Sequence, residues 1–168
     1  MRVSCSETAL LLFDYAGTMR YWSGLLFLAV LCLAQDGDPW PKDQLMEPAA
    51  LAAELKGPNP PVVLCTAFSV LYRSKRITHA IEAGPGSKPE GILLLKKAAE
   101  KLPKDADIVI YCGCCPMVKC PNIRPAYRIL HEMGFQHVRV LNIASNMRED
   151  WFNKGYPSES GAAAEPHS

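Results

Sequence analysis

Downstream of residue 44 the chain alternates unbroken apolar stretches of strand length with segments of helical period. Pro61 to Thr66 (PVVLCT) and Asp107 to Cys112 (DIVIYC) are continuous apolar runs, the pattern of strands covered on both faces. His137 to Asn142 (HVRVLN) is a third strand with one wetter face, because His, Arg and Asn alternate with aliphatic residues. Leu45, Ala49, Ala52 and Leu55 recur at helical spacing, and the Gly57 to Pro60 cluster ends that helix. Ser87, Pro89 and Glu90 open a helix running to about Leu102: Ser87 can accept a backbone N–H, Glu90 can reach back, and Pro89 fits the first turn. Asn122 to Met133 predicts a helix with Ile123, Ala126, Leu130 and Met133 inward and Gly134 as its left-handed stop. Asn146 to Lys154 is the last helix, ended by Gly155 and Pro157, and residues 67–86 read as irregular with a short extended piece at Ser69 to Tyr72. Helical crossovers between strands force parallel pairing. The expected fold class is therefore α/β, a small parallel sheet with helices on both faces. Ser158 to Ser168 is small and polar and is expected to be a disordered tail.

The N-terminal region has a different character. Arg20 precedes an uncharged apolar run, Gly24 to Leu33, that ends in the small residue Ala34. That is a signal-peptide pattern over residues 19–34, and the run is too short to span a hydrocarbon core that needs about 20 residues. Cleavage after Ala34 would leave Gln35 as the new N-terminus. The expectation is an exported protein, periplasmic or extracellular, with no stable membrane span after processing. Residues 1–18 carry Glu7 and Asp14 where a leader should be positive, so they read as a spurious extension upstream of a start at Met19. Removing residues 1–34 discards Arg2, Arg20, Glu7 and Asp14, so the net charge stays at +1.

A near-neutral chain of 168 residues with 49% hydrophobic content is sized for one domain, placed at residues 37–157, and its core needs neither disulfides nor metals. The charge balance gives no footprint for nucleic acid, and the scattered prolines and glycines show no repeat. The sequence leaves the oligomeric state open. Five of the seven cysteines lie beyond the leader: Cys65, Cys112, Cys114, Cys115 and Cys120. An odd number in an exported chain leaves at least one thiol free, paired with another molecule, or chemically at work.

Four of those five fall in one strand-to-helix loop, residues 112–121 (CGCCPMVKCP). In an open α/β sheet ligands bind beyond the carboxyl ends of the strands, which is where this loop lies. Isolated core cysteines do not cluster in this way. A loop that curls around its first side chain aims backbone N–H groups and the next helix dipole at an anion near Cys112, which lowers a thiol's pKa. Lys119 and Arg124 are available to add positive potential, although either one reads equally well as a solvated surface charge.

The stretch 107–157, with DIVIYC, the loop, PAYRILHEMGF, HVRVLN, Trp151 and KGYP, resembles the second half of a rhodanese-family domain. Upstream, where that family has an Asp-x-Arg signal and a His-Ile-Pro-Gly-Ala segment, this chain has Leu64 to Ala67 and Arg76 to Ile81, and only Ile77 and Ala80 fit. The resemblance implies sulfur transfer: a cysteine in the position of Cys112 takes the outer sulfur of a donor such as thiosulfate, becomes a persulfide, and passes it to a thiol or cyanide. It implies a sulfurtransferase with no cofactor and no metal, whose partners are a small sulfur-containing anion and a thiol acceptor. Amides from Gly113 through Met117 and Val118 to Lys119, with Arg124, would bind the anion. The loop is longer than is typical of that family and holds three extra thiols. Cys114, Cys115 or Cys120 is accordingly a candidate to resolve the persulfide as a disulfide or to act as the nucleophile itself.

Other readings stay open. The C-x-C-C-x4-C array of Cys112, Cys114, Cys115 and Cys120 offers soft thiolates to Cu(I), Zn²⁺ or a cluster, and Cys112 with Cys115 has the C-x-x-C spacing of thiol oxidoreductases. An inactive rhodanese-like binding module is a further alternative. Cys65 reads as a buried inert thiol, with pairing to Cys112 conceivable. His79 reads as a loop histidine rather than a base, His131 and His137 as surface groups, and Trp151 and Phe152 as core. Tyr72, Arg73, Lys75 and Arg76 read as a solvated loop, or as a basic rim drawing anions to the site.

Overall fold

The computed structural model describes residues 37–161. The extension at 1–18, the signal peptide at 19–34 and the last seven residues of the expected tail lie outside the described residues. Three strands form where the two continuous apolar runs and the alternating third segment predict them, and two more are added at the edges. In chain order they are β1 (Leu45–Met46), β2 (Val62–Cys65), β4 (Ile81–Glu82), β5 (Ile108–Tyr111) and β6 (Val138–Leu141), all parallel, in the order β1-β6-β5-β2-β4. β5 is central and buried at every position, because both faces of the sheet are covered. β6 shows the expected wetter side. Val138 and Val140 are buried, while Arg139 between them turns the other way to Glu54 and Asp107.

The helices are α1 (Pro48–Glu54), α2 (Ser69–Ser74), α3 (Pro89–Ala99) and α4 (Ile123–Glu132). α4 buries Ile123, Ala126, Tyr127 and Leu130, and Met133 packs half-buried against the same core. Gly134 follows at φ 91°, a left-handed stop that a side chain would strain. Among the described residues no helix is long and apolar enough to cross a membrane.

Four local expectations are corrected. The helix expected from Leu45 begins only at Pro48. Glu47 is extended ahead of the proline ring, so Leu45 and Met46 pair with β6 instead. Ser69 to Tyr72 is helical rather than extended: the N–H groups of Leu71 and Tyr72 donate to the Phe68 carbonyl, and the Tyr72 hydroxyl anchors the turn on Ala80 O at 2.9 Å. The last helix is a π-helical turn over Arg148–Phe152, with the Asn153 N–H on Arg148 O, and it seats fully buried Trp151 with its indole N–H on Pro157 O. Finally, the tail is not irregular from Ser158. Ser158–Ser160 forms β7, antiparallel to β3 (Lys75–Ile77), and Glu159 binds Arg76 at 2.7 Å.

Candidate functional site

Because the five strands are parallel, their carboxyl ends meet along one rim. Cys112 is the first residue past β5. The neighbouring strand end is locked by Thr66, whose N–H and hydroxyl both donate to Tyr111 O, at 2.8 and 3.0 Å. Cys112 is 3% exposed. Its sulfur lies 3.1 Å from that of exposed Cys114, which in turn lies 3.1 Å from that of half-buried Cys115. Cys120 is fully buried, and the sulfurs of Cys112, Cys114 and Cys120 are all within 4.8 Å of one another. Every cysteine among the described residues is free.

The Cys112 thiol is brought down to about 6, first by the neighbouring Cys120 thiol, whose sulfur lies within 4.8 Å, then by the Asn122 side chain and by the Cys114 backbone N–H and thiol, against the cost of burial. Its partners move the opposite way. The Cys120 thiol is pushed far up by the nearby Cys112 sulfur and by burial, and the Cys114 thiol is raised by partial burial and by its sulfur neighbours. Of the three, Cys112 is therefore the sulfur that ionises most readily. Cys65 lies across the β2–β5 pairing but is separate. Burial raises its thiol to about 11, so it stays protonated, and no disulfide joins it to Cys112.

Asn122 is a site residue that the sequence reading missed. It is 1% exposed and donates its side-chain N–H to Cys112 Sγ at 3.5 Å, while its side-chain oxygen accepts from the N–H and the hydroxyl of Ser87. An Asn just before a helix reads as a cap, yet here it makes no cap hydrogen bond to α4. Ser87, expected to cap α3, is spent on this contact, and α3 starts from Lys88 without a side-chain cap. Gly86 permits the approach: a β-carbon there would sit 2.3 Å from Asn122 O.

The expected cage of loop amides is only partly present. The Cys114 N–H faces Cys112, but the Met117 N–H donates to Ile143 O at 2.7 Å, and the Lys119 N–H donates to Pro116 O at 3.0 Å as Met117–Lys119 winds into a 3-10 turn. Met117 is buried, whereas Val118 and Lys119 are exposed. Gly113 lies against the Met147 side chain. Arg124 does not point at the sulfurs. It braces the loop through Val118 O and Cys120 O and pairs with Asp38.

None of the other candidates is among the residues that act on the Cys112 sulfur. Tyr72 and Arg76 are engaged by Ala80 and Glu159, so Arg76 is not a free cation of a basic rim. His79 is exposed on a left-handed turn. His137 borders a surface cavity with Asp105, Asp107 and Arg139 at the amino ends of β5 and β6, opposite the cysteine rim. His131 packs half-buried against Tyr127 rather than standing in solvent.

No family model and no curated protein matches this chain. Solved structures do. The crystal structure of the Alr3790 protein from Anabaena sp. is 22% identical with a TM-score of 0.54, over 70% of this chain and 94% of that one. A solution structure of the same protein is described as its rhodanese-like domain, at 21% identity and a TM-score of 0.52, over 74% of this chain and 89% of that one. The thiosulfate sulfurtransferase of Pseudomonas aeruginosa is 24% identical with a TM-score of 0.52, over 71% of this chain but only 20% of that protein. The fold is rhodanese-like.

Proposed function

We propose that the chain is a sulfurtransferase of the thiosulfate type that carries sulfane sulfur as a persulfide on Cys112. The supporting observation is the buried thiol at the end of the central strand, with the Cys114 sulfur at 3.1 Å and the Asn122 side-chain N–H at 3.5 Å, neighbours that help bring it down to about 6. At pH 7 such a group is about nine-tenths thiolate, and the thiolate is the nucleophile. It attacks the outer sulfur of thiosulfate, the sulfur–sulfur bond of the donor breaks, and sulfite leaves with the bonding pair. A thiolate or cyanide then attacks the outer sulfur of the persulfide, and the Cys112 thiolate departs unchanged. Asn122, the Cys114 N–H and the Cys120 thiol stabilise the charge at both stages. The donor reaches Cys112 after the exposed Cys114 side chain rotates aside, which favours small donors over bulky ones.

The test is to incubate the purified protein with thiosulfate and cyanide, to measure thiocyanate, and to map added sulfur by mass spectrometry. The wild type gains 32 mass units, one sulfur atom, at about one site per chain, on Cys112. Cys112→Ser abolishes both uptake and turnover, and Cys114→Ser retains them. Activity that survives Cys112→Ser and disappears with Cys114→Ser or Cys115→Ser refutes the assignment.

A further inference from the structure

The thiols around Cys112 exceed what sulfur transfer uses. Cys120 is fully buried, Cys112 nearly so, and Cys114 closes the group on the solvent side, with all three sulfurs within 4.8 Å of one another. A metal equidistant from three sulfurs at about 2.3 Å in a plane needs them about 4 Å apart. Cys112 and Cys114 stand at 3.1 Å, and exposed Cys114 is the member free to rotate outward by the difference. The candidate set contains no carboxylate and no imidazole. Arg124, on the first turn of α4, is turned onto the Val118 and Cys120 carbonyls.

We propose that Cys112, Cys114 and Cys120 form a three-thiolate site for one soft monovalent cation of the Cu(I) class. Ligand softness selects this class, and ligand number separates it from zinc. Thiolates prefer Cu(I) or Zn²⁺ to hard ions, and structural zinc takes four ligands where these residues supply three. Cys115 touches Cys114 but stands outside the three-sulfur set, on the half-exposed side of the loop. Binding displaces the thiol protons to solvent and involves no change in oxidation state. It also occupies the Cys112 sulfur, so the metal-loaded protein cannot take up sulfane sulfur. The site itself does not depend on the sulfur-transfer reading, because it requires only that three sulfurs converge.

The test uses the full chain, fully reduced and free of oxygen, titrated with Cu(I) against a chromophoric Cu(I) chelator. Stoichiometry is read by native mass spectrometry and the ligand set by X-ray absorption. One Cu(I) per chain with three sulfur neighbours is expected. Cys114→Ser, at an exposed position that the fold does not need, should lose more than about 100-fold in affinity, beyond what loss of a mere outer partner costs. Cys115→Ser should bind like the wild type. The proposal is overturned if the chelator strips the metal from the wild type, if Cys114→Ser binds undiminished, or if Zn²⁺ is held more tightly than Cu(I) through four sulfurs including Cys115. Failure here leaves thiocyanate formation untouched, and loss of thiocyanate formation leaves the titration untouched, so the two readings fail separately.

Discussion

Replacing Asn122 with Leu removes the side-chain N–H from Cys112 while keeping the number and branching of side-chain heavy atoms. The thiol moves from 9.0 to about 6 in the folded chain, which corresponds to about 4 kcal/mol at about 1.4 kcal/mol per unit. The Cys120 thiol contributes most, followed by Asn122 and the two Cys114 groups, while burial opposes them all. At 3.5 Å the Asn122 contact is long, so its share belongs at the low end of the 1.5–3 kcal/mol typical of hydrogen bonds to a charged group, or about one unit. The Cys112 inflection in Asn122→Leu is thus expected near 7. At pH 6 the thiolate fraction falls from about one half to about one tenth, so alkylation there slows roughly fivefold, while above pH 8 the two proteins converge. The assay is the pH dependence of carbamidomethylation at Cys112, resolved by peptide mass so that the other thiols do not contribute. Ser87 loses its acceptor in this variant, but it is exposed and water replaces the contact, which keeps the fold intact. An inflection that does not move, or a wild-type inflection at an ordinary thiol value, refutes the view that side-chain donors create the thiolate.

Three further outcomes follow from the same geometry. Because the folded Cys112 value lies below the unfolded one, its ionisation stabilises the native state from about pH 6 upward, by about 3 kcal/mol at pH 8.5, while above that pH the raised thiols of Cys65, Cys114 and Cys120 take stability back. Denaturant midpoints from pH 6 to 8.5 should therefore rise in the wild type and lie flat in Cys112→Ser. Gly86→Ala forces a β-carbon to within 2.3 Å of Asn122 O and should cost about 1–3 kcal/mol in urea unfolding, and it should also raise the Cys112 inflection by displacing Asn122. Arg124→Met keeps the side-chain stem but cuts the brace on Val118 O and Cys120 O. Hydrogen exchange should quicken over residues 117–120 and stay unchanged in β5, with under about 1 kcal/mol of global loss because the Asp38 pair is partly solvated.

What the sequence revealed of the fold follows from how each element is stabilised. β2, β5 and β6 are legible as apolar runs because they are buried between layers. β1 and β4 are two residues each, and partner strands create them rather than any pattern of their own. The same holds for β7. Nothing in a polar Ser-Glu-Ser segment announces a strand until Arg76 and the edge of β3 are there to receive it. Pro48 did carry a readable signal against helix at Glu47, and helical spacing at Leu45 masked it.

The site is legible to the same depth and no further. Clustering four cysteines in one loop identifies the rim, since packing alone does not gather thiols. It does not reveal who stabilises the anion. A loop of this length can curl its amides around the first side chain or spend them on itself, and a 3-10 turn over Met117–Lys119 takes the second course. The work passes to Cys120, at the end of that turn, and to Asn122, at the start of α4. This substitution changes what the site can do. Amide donors are chemically fixed, whereas a thiol donor such as Cys120 can be metallated, and in losing its proton it would cease to stabilise the Cys112 anion. A site built in this way couples the reactivity of one sulfur to the state of its neighbours. The extra cysteines are therefore part of the electrostatics of Cys112.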